Sequence, residues 1–247
     1  MKPAALAAAA CLFLAAGLAA AQHAAKVERV QYSGTLGQSR IGLTLEVENG
    51  RAIRGHYFYR KYLKDIPLAA KQDNGVLLLN EAGGEFKLHF KGNGSEGHAP
   101  LDFENSVGLD GTWASADGAR SLPVSLSGQT ILPGPAGGRR YSDVTGESDA
   151  AFERRVQSFY RAVLAGNRSE AARYVSYPLR VNGKQTKTIR TAAQLIAAWD
   201  SIFTPAFLAR LRNDLPHDLF VREGMAMLGD GDVWFDARGA AALNLNE

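Results

Sequence analysis

Asp200 is the residue whose neighbours most invite chemistry. Ile196, Asp200 and Phe203 follow the i, i+4, i+7 spacing that places three side chains on one helix face, so the sequence predicts a carboxylate set into an apolar stripe. Burial there would raise its pKa toward that of a working general acid or base, whereas a nearby Arg would hold it down in a structural role. Tyr177 and Arg180 are its candidate partners, with Asp200 as proton carrier and Tyr177 as donor. Trp199, Trp234, Arg180 and Tyr160 are the candidate ligand-binding side chains around the same hollow. The competing reading is a hydrogen-bonded carboxylate that ties a helix to a sheet.

Other residues of chemical type carry weaker signals. His217 and Asp218 are adjacent on a predicted strand, where neighbours point to opposite faces and cannot serve each other as a dyad. His56, His89 and His98 sit among Gly-rich hairpins without carboxylates at ligand spacing, and Asp230 and Asp232 lack the further oxygen ligands of a calcium loop. No metal and no cofactor is expected. The glycine clusters lack the Lys-Ser/Thr sequel of a phosphate loop, and neither Gly-x-Ser-x-Gly nor His-Glu-x-x-His occurs. The block Tyr57, Phe58, Tyr59, Arg60, Lys61, Tyr62 and Lys64 reads either as a surface for polysaccharide, lipid headgroups or a protein, or as a core strand with a basic edge.

Two kinds of periodicity position these groups. Ile41, Leu43, Leu45 and Val47 alternate with Gly42, Thr44, Glu46 and Glu48, the period of a half-buried strand, and Asn49-Gly50 then turns the chain into a second strand. Asn74-Gly75, Gly83-Gly84 and Asp117-Gly118 repeat the device. Residues 27–130 are therefore expected to form an all-β module of about eight strands, an antiparallel meander curled into a small barrel or sandwich. Residues 131–147 contain Ile-Leu-Pro-Gly-Pro-Ala-Gly-Gly and break every period, as a linker does.

From Ser148 the spacing becomes helical: Phe152, Val156, Phe159, Tyr160, Val163 and Leu164 form a stripe that stops at Gly166-Asn167. Asn167 with Glu170, and Thr191 with Gln194, are capping-box signals. The second of these opens one helix bearing Leu195, Ile196, Trp199, Ile202 and Phe203, and Thr204-Pro205 starts another. Strand-like runs surround Asn182-Gly183 and fill the stretch after Leu219. Residues 148–247 are thus expected to be an α+β domain whose sheet wraps a long helix and leaves an open end.

Charge and leader bound the function class. With 28 Lys and Arg against 25 Asp and Glu, the net +3 of the 247-residue chain is no footprint for nucleic acid. Lys2, the Ala/Leu/Phe-rich run behind it, and Ala19 and Ala21 describe a Sec-type signal peptide over residues 1–21, cleaved before Gln22. The alternative is a retained anchor. Cys11 follows Ala8, Ala9 and Ala10 and does not suit a lipoprotein signal. Cleavage leaves a mature chain without cysteine or transmembrane segment, which excludes disulfides and thiol chemistry and suits a periplasmic or secreted protein.

The element order of residues 148 to 246 resembles the nuclear transport factor 2-like (NTF2-like) cone fold. Tyr177-Pro178-Leu179-Arg180-Val181, Trp199-Asp200-Ser201-Ile202-Phe203-Thr204-Pro205 and Gly229-Asp230-Gly231-Asp232-Val233-Trp234-Phe235 are similar to phrases in exported bacterial members without assigned activity. The front module resembles another uncharacterised exported β unit through Tyr32-Ser33-Gly34-Thr35-Leu36-Gly37, Gly55-His56-Tyr57-Phe58-Tyr59-Arg60-Lys61-Tyr62, Asp65-Ile66-Pro67-Leu68, Gly111-Thr112-Trp113 and Leu122-Pro123-Val124. The cone superfamily implies isomerases, dehydratases, hydrolases and many non-enzymatic binders, so fold alone selects no reaction.

The expectation is an exported two-module binding protein, taking a small apolar ligand in the cone or an envelope protein across its β faces. One alternative is an isomerase, dehydratase or hydrolase of the cone using Asp200 as general acid or base. Another is a structural or inhibitory partner protein whose cone is filled by its own side chains.

Overall fold

Eight antiparallel strands close into a barrel in the computed structural model, which describes residues 27–245 apart from 96, 98 and 135–138. The expected signal segment with Lys2, Cys11 and the cleavage point at Gln22 lies outside the described residues, as does His98. The strands are β1 (Val27–Leu36), β2 (Ser39–Glu48), β3 (Arg51–Tyr59), β4 (Ile66–Asp73), β5 (Val76–Glu81), β6 (Gly84–Lys91), β7 (Gly108–Ser115) and β8 (Ser121–Pro133). Each pairs with the next, and β8 closes on β1. Asn49-Gly50 and Asn74-Gly75 both adopt positive φ at their two residues, the backbone that makes tight hairpins match strand twist. The interior is packed by the inward set of each strand, including Val30, Leu43, Leu45, Leu77, Leu79, Phe86 and Leu126.

On the far side of the barrel the alternation is strict: in β6 every second residue is buried, with Lys87 and His89 exposed. In β2 it is not. Gly42 and Thr44, on the polar face, are buried together with Ile41, Leu43 and Leu45 on the apolar face. A second layer covers that side of the sheet.

That layer is an α+β region. It runs α1 (Asp149–Leu164), α2 (Arg168–Arg173), β9 (Val175–Asn182), β10 (Lys187–Ile189), α3 (Ala192–Ala197), α4 (Trp199–Ile202), α5 (Pro205–Leu211), β11 (Phe220–Arg222), β12 (Met225–Leu228), β13 (Val233–Phe235) and β14 (Ala240–Asn244). The six strands form one sheet in the order β10-β9-β14-β13-β12-β11, antiparallel except where β14 runs parallel to β9. Caps fix the helix starts: Ser148, Asn167, Thr191 and Thr204 each accept a backbone N–H three residues on. Gln194 reaches back past its cap residue to accept the Arg190 N–H at 2.7 Å.

The core of this region is aromatic. Phe159 meets Phe235 edge to face at 5.5 Å, Phe203 stacks against Trp199 at 4.2 Å and touches Phe207 at 5.8 Å, and all five side chains are buried. The expected single helix bearing Trp199 is in fact two, because the chain leaves helical geometry at Ala198 (φ −90°, ψ 4°) between α3 and α4. Leu195, Trp199 and Ile202, themselves at i, i+4, i+7 spacing, face the core, and Asp200, one position past Trp199, lies outside.

The stretch expected to link the modules is partly strand and partly core. Strand β8 continues to Pro133, and Tyr141 is fully buried, its N–H and that of Arg140 donating to the two Asp149 carboxylate oxygens at 3.1 and 2.9 Å. The outer face of β1 to β3 docks against this segment, α1 and the loop before β11. Phe58 provides the apolar part of the contact: it points out of the barrel, yet is buried, with its ring 4.3 Å from that of His217. Gly42, its cross-strand partner, makes room, since a Cβ there would stand 2.3 Å from Phe58 Cζ.

Candidate functional site

Two features meet where the barrel and the α+β region join: a buried cluster of charges and an open basic cleft beside it. The cluster draws Arg29, His56 and Asp65 from the barrel side and Arg140, Glu153, His217 and Asp218 from the other. His217 Nε2 lies 2.7 Å from Asp65 Oδ1 and Nδ1 lies 2.7 Å from Glu153 Oε2, so both ring nitrogens face carboxylates and the ring is held as the doubly protonated cation. Burial by itself would lower the His217 pKa, but the hydrogen bonds to Asp65 and Glu153 more than offset it and raise it to about 9. Asp65, which burial would push up, is brought down to about 2 by His217, His56 and Arg140.

Asp218 occupies the centre. Its carboxylate accepts from Thr44 Oγ1, lies 3.3 Å from His56 Nε2 and 3.2 Å from Arg140 Nη1, and has Arg29 at 3.9 Å. These partners outweigh the burial that would raise its pKa and hold it well below the usual carboxylate range. Its backbone is also tied across the junction, the carbonyl accepting from Gln31 Nε2 at 3.0 Å and the N–H donating to Glu153 Oε1 at 3.0 Å. Arg140 bridges the two halves by pairing with Asp65 and, at 3.0 Å, with Glu153. Arg29, Arg140 and His217, with His56 beside them, thus face three carboxyl groups (Asp65, Glu153, Asp218). Breaking one partner of such a buried set leaves an uncompensated charge, at a cost of about 3–5 kcal/mol. Among the described residues no group of three or more His, Cys, Asp or Glu is arranged to hold a metal ion. In this cluster both His217 nitrogens and His56 Nε2 face carboxylates, which makes it a latch.

The cleft opens beside the latch, along the same two loops. The turn after β3 carries Arg60, Lys61 and Tyr62 before it reaches Asp65, and the segment after α5 carries Arg212 and Asn213 before it reaches His217. With Arg40 and Tyr59 these residues line a space of about 890 Å³. Arg60 Nη2 donates to the Asn213 carbonyl at 3.1 Å, one direct bond across the junction. Among the described residues none of Arg40, Arg60, Lys61 and Arg212 has a carboxylate partner, and all four line the same space. Burial, and then the charge of Arg40, lower the pKa of Arg60, so its charge is under strain that an anion would relieve. A neighbouring space of about 360 Å³ continues the cleft past Arg60, Lys61 and Arg212 to Tyr160, Arg161 and Asp214. The Asp214 carboxyl is raised to about 6 by burial and by Asp232 and Asp230.

The residues singled out from the sequence fall in several places. Asp200 is not on a buried face: its side chain is 81% exposed and accepts from Arg168 Nη2 at 2.8 Å. The Arg168 guanidinium also lies 5.8 Å over the ring of Trp199, which is itself core. Tyr177 is half-buried and donates to the Ala172 carbonyl at 3.3 Å, so it and Asp200 take separate partners. Arg180 is exposed and donates to Asn182 Oδ1 at 2.9 Å, and Trp234 is half-buried on β13 opposite Met227 and Ala242. Only Tyr160 reaches the junction, its hydroxyl near the carbonyls of Arg212 and Asp214 at 3.4 and 3.5 Å.

His217 and Asp218 lie in the loop before β11, not on a strand, and both are buried. Asp218 has φ +53°, a backbone that alternation in the sequence does not signal. The carboxylates near His56 come from nine residues along the chain and from the other half of the molecule. The aromatic and basic block divides by alternation within β3, with Tyr57 facing the barrel interior, Phe58 the docked layer and Tyr59 packed on the barrel core at its rim, while Arg60, Lys61 and Tyr62 in the turn beyond join Tyr59 along the cleft. That block was the one sequence signal for the cleft; Arg40 and Arg212 carried none. Comparison of the chain with protein-family models, with curated proteins and with solved structures finds no match.

Proposed function

We propose that the protein is an exported, non-enzymatic binding protein whose two modules act as one docked body and recognise an anionic ligand in the cleft at their junction. The observation that carries this reading is the set of four cations, drawn from both modules, that line one space without a carboxylate partner among the described residues.

Export is supported by the leader pattern of residues 1–21. A cone of the NTF2-like kind is supported by the order of helices and strands after Ser148. The aromatic side chains packed through that module turn the reading away from an apolar ligand held inside it and toward recognition at the surface.

Native mass spectrometry of protein purified from an exporting host tests the proposal. Wild type is expected to carry a co-purifying acidic species that the double variant Arg60→Gln/Arg212→Gln has lost. Equal retention by both proteins would remove the cleft from the function.

A further inference from the structure

The chemical class of the ligand is legible in the groups that surround the four cations, an inference that rests on the anion-binding reading above. Arg40 and Arg60 are neighbours at the barrel end, where the Arg60 N–H donates to the Arg40 carbonyl at 3.0 Å. Two guanidinium groups whose charges act on each other, as the lowering of Arg60 by Arg40 shows, and that have no carboxylate partner among the described residues, are best satisfied by an anion that accepts from both, and a phosphoryl group offers the oxygens for that.

Phosphate alone leaves most of the cleft unused. About 890 Å³ is the size of a site for an organic molecule. Tyr62, 66% exposed, presents a ring to it, and Lys61 Nζ stands 5.4 Å from the centroid of that ring. Tyr59 supports Tyr62 edge to face at 6.2 Å. An exposed tyrosine braced by a second ring is a platform for the flat C–H face of a small ring, with its hydroxyl free to hydrogen-bond. Gln38, Ser39 and Asn213 add neutral donors and acceptors along the wall, suited to hydroxyl groups. A charged end, a flat face and a hydroxylated rim together describe one kind of molecule.

We propose that the cleft binds a phosphorylated sugar, with the phosphoryl group between Arg40 and Arg60 and the sugar ring on Tyr62. Because Arg212 and Asn213 come from the α+β side, the ligand spans both modules and adds to the contacts that hold them together. The same chemistry is available from a free sugar phosphate or from the headgroup of a phosphorylated lipid.

Isothermal titration of the full mature chain with glucose 1-phosphate, inorganic phosphate and glucose tests this. Co-sedimentation with phosphatidylcholine vesicles, with and without phosphatidylinositol 4-phosphate, runs beside it. Glucose 1-phosphate is expected to bind about tenfold or more tighter than inorganic phosphate. Arg60→Gln should weaken both by roughly ten- to a hundredfold, and Tyr62→Ala should weaken only the sugar phosphate. Arg212→Gln, at an exposed position, repeats the charge test should Arg60→Gln perturb folding. Vesicle binding that needs the phosphoinositide and both Arg60 and Tyr62 would place the sugar phosphate at a membrane, and binding of the free compound alone would place it in solution; either supports the proposal. Equal affinity for inorganic phosphate and glucose 1-phosphate, both lost in Arg60→Gln, would overturn the sugar and leave the anion site standing. No binding of any phosphorylated probe in solution or on vesicles would overturn both.

Discussion

The latch makes stability depend on pH in a direction that the His217 contacts dictate. Its folded pKa of about 9 stands above the ordinary 6.5 because the ring keeps two carboxylate partners that the unfolded chain lacks. A raised pKa contributes stability that is fully present below pH 6.5, declines between 6.5 and about 9, and is absent above. The interval, at roughly 1.4 kcal/mol per pH unit, amounts to about 3 kcal/mol, a large share of the stability of an ordinary domain. His217→Gln retains one N–H donor but cannot carry the charge. Urea unfolding followed by tryptophan fluorescence, at one-unit steps from pH 6 to 10, should show the variant less stable at pH 6 and the two proteins converging by about 3 kcal/mol as pH rises. Subtracting the profiles removes the groups that do not contact His217, and from pH 6 upward the Asp65 and Glu153 carboxylates it faces are ionised in the wild type. Parallel profiles would refute the reasoning, because His217 would then titrate in the folded protein as it does in the unfolded chain and the carboxylates would not be holding its charge.

Three further outcomes follow from single contacts. Asp214, with a folded pKa raised to about 6 and a carboxylate oxygen buried without a partner, loses the protein stability as pH rises from 3.8 through 6. Asp214→Asn should therefore stabilise by about 1 kcal/mol at pH 8, allowing for solvent screening, and by nothing at pH 4 in the same urea assay; equal effects at both would sink this account. Gly42→Val should push on the Phe58 ring and cost about 1–3 kcal/mol, partly recovered in the double variant with Phe58→Leu; a variant as stable as wild type would show that the ring has free space. Asp200→Asn should change thermal stability by less than about 1 kcal/mol, as expected for an exposed ion pair, and a larger loss would mean that the carboxylate does more than hold Arg168.

Local signals in the sequence were read well where the physics is local. Asn49-Gly50 and Asn74-Gly75 specify hairpins because only a few residue types adopt positive φ at low cost, and both turns occur as expected. Ser148, Asn167, Thr191 and Thr204 mark helix starts because a side-chain oxygen within reach of a free backbone N–H acts over three residues. The helical spacing around Trp199 was legible, yet which of two adjacent stripes faces the core, Leu195–Trp199–Ile202 or Ile196–Asp200–Phe203, was not, since both carry apolar residues at helical spacing and only packing selects one. That step of one residue, about 100° around the helix, is what misplaced Asp200.

The latch lay beyond any local signal. Asp65, Glu153 and Asp218 are ordinary acids in their own segments; their charges become coupled only when residues more than 60 positions apart are brought within hydrogen-bond distance. The buried polar face of β2 has the same origin. Thr44 and Gly42 alternate with apolar neighbours as on any half-exposed strand, and nothing in that pattern says that a second layer will cover them.

By itself, then, the order of residues determined a meander of short antiparallel strands, closed or stacked, followed by helices and a sheet, because hydrogen-bond geometry and side-chain period are set within a few positions. Which charges meet, which tyrosines stand clear and where four cations share one space were decided only when the outer face of β1 to β3 docked on α1 and the loop before β11. Electrostatic and packing energies depend on distance through space, and that distance exists only in the folded chain.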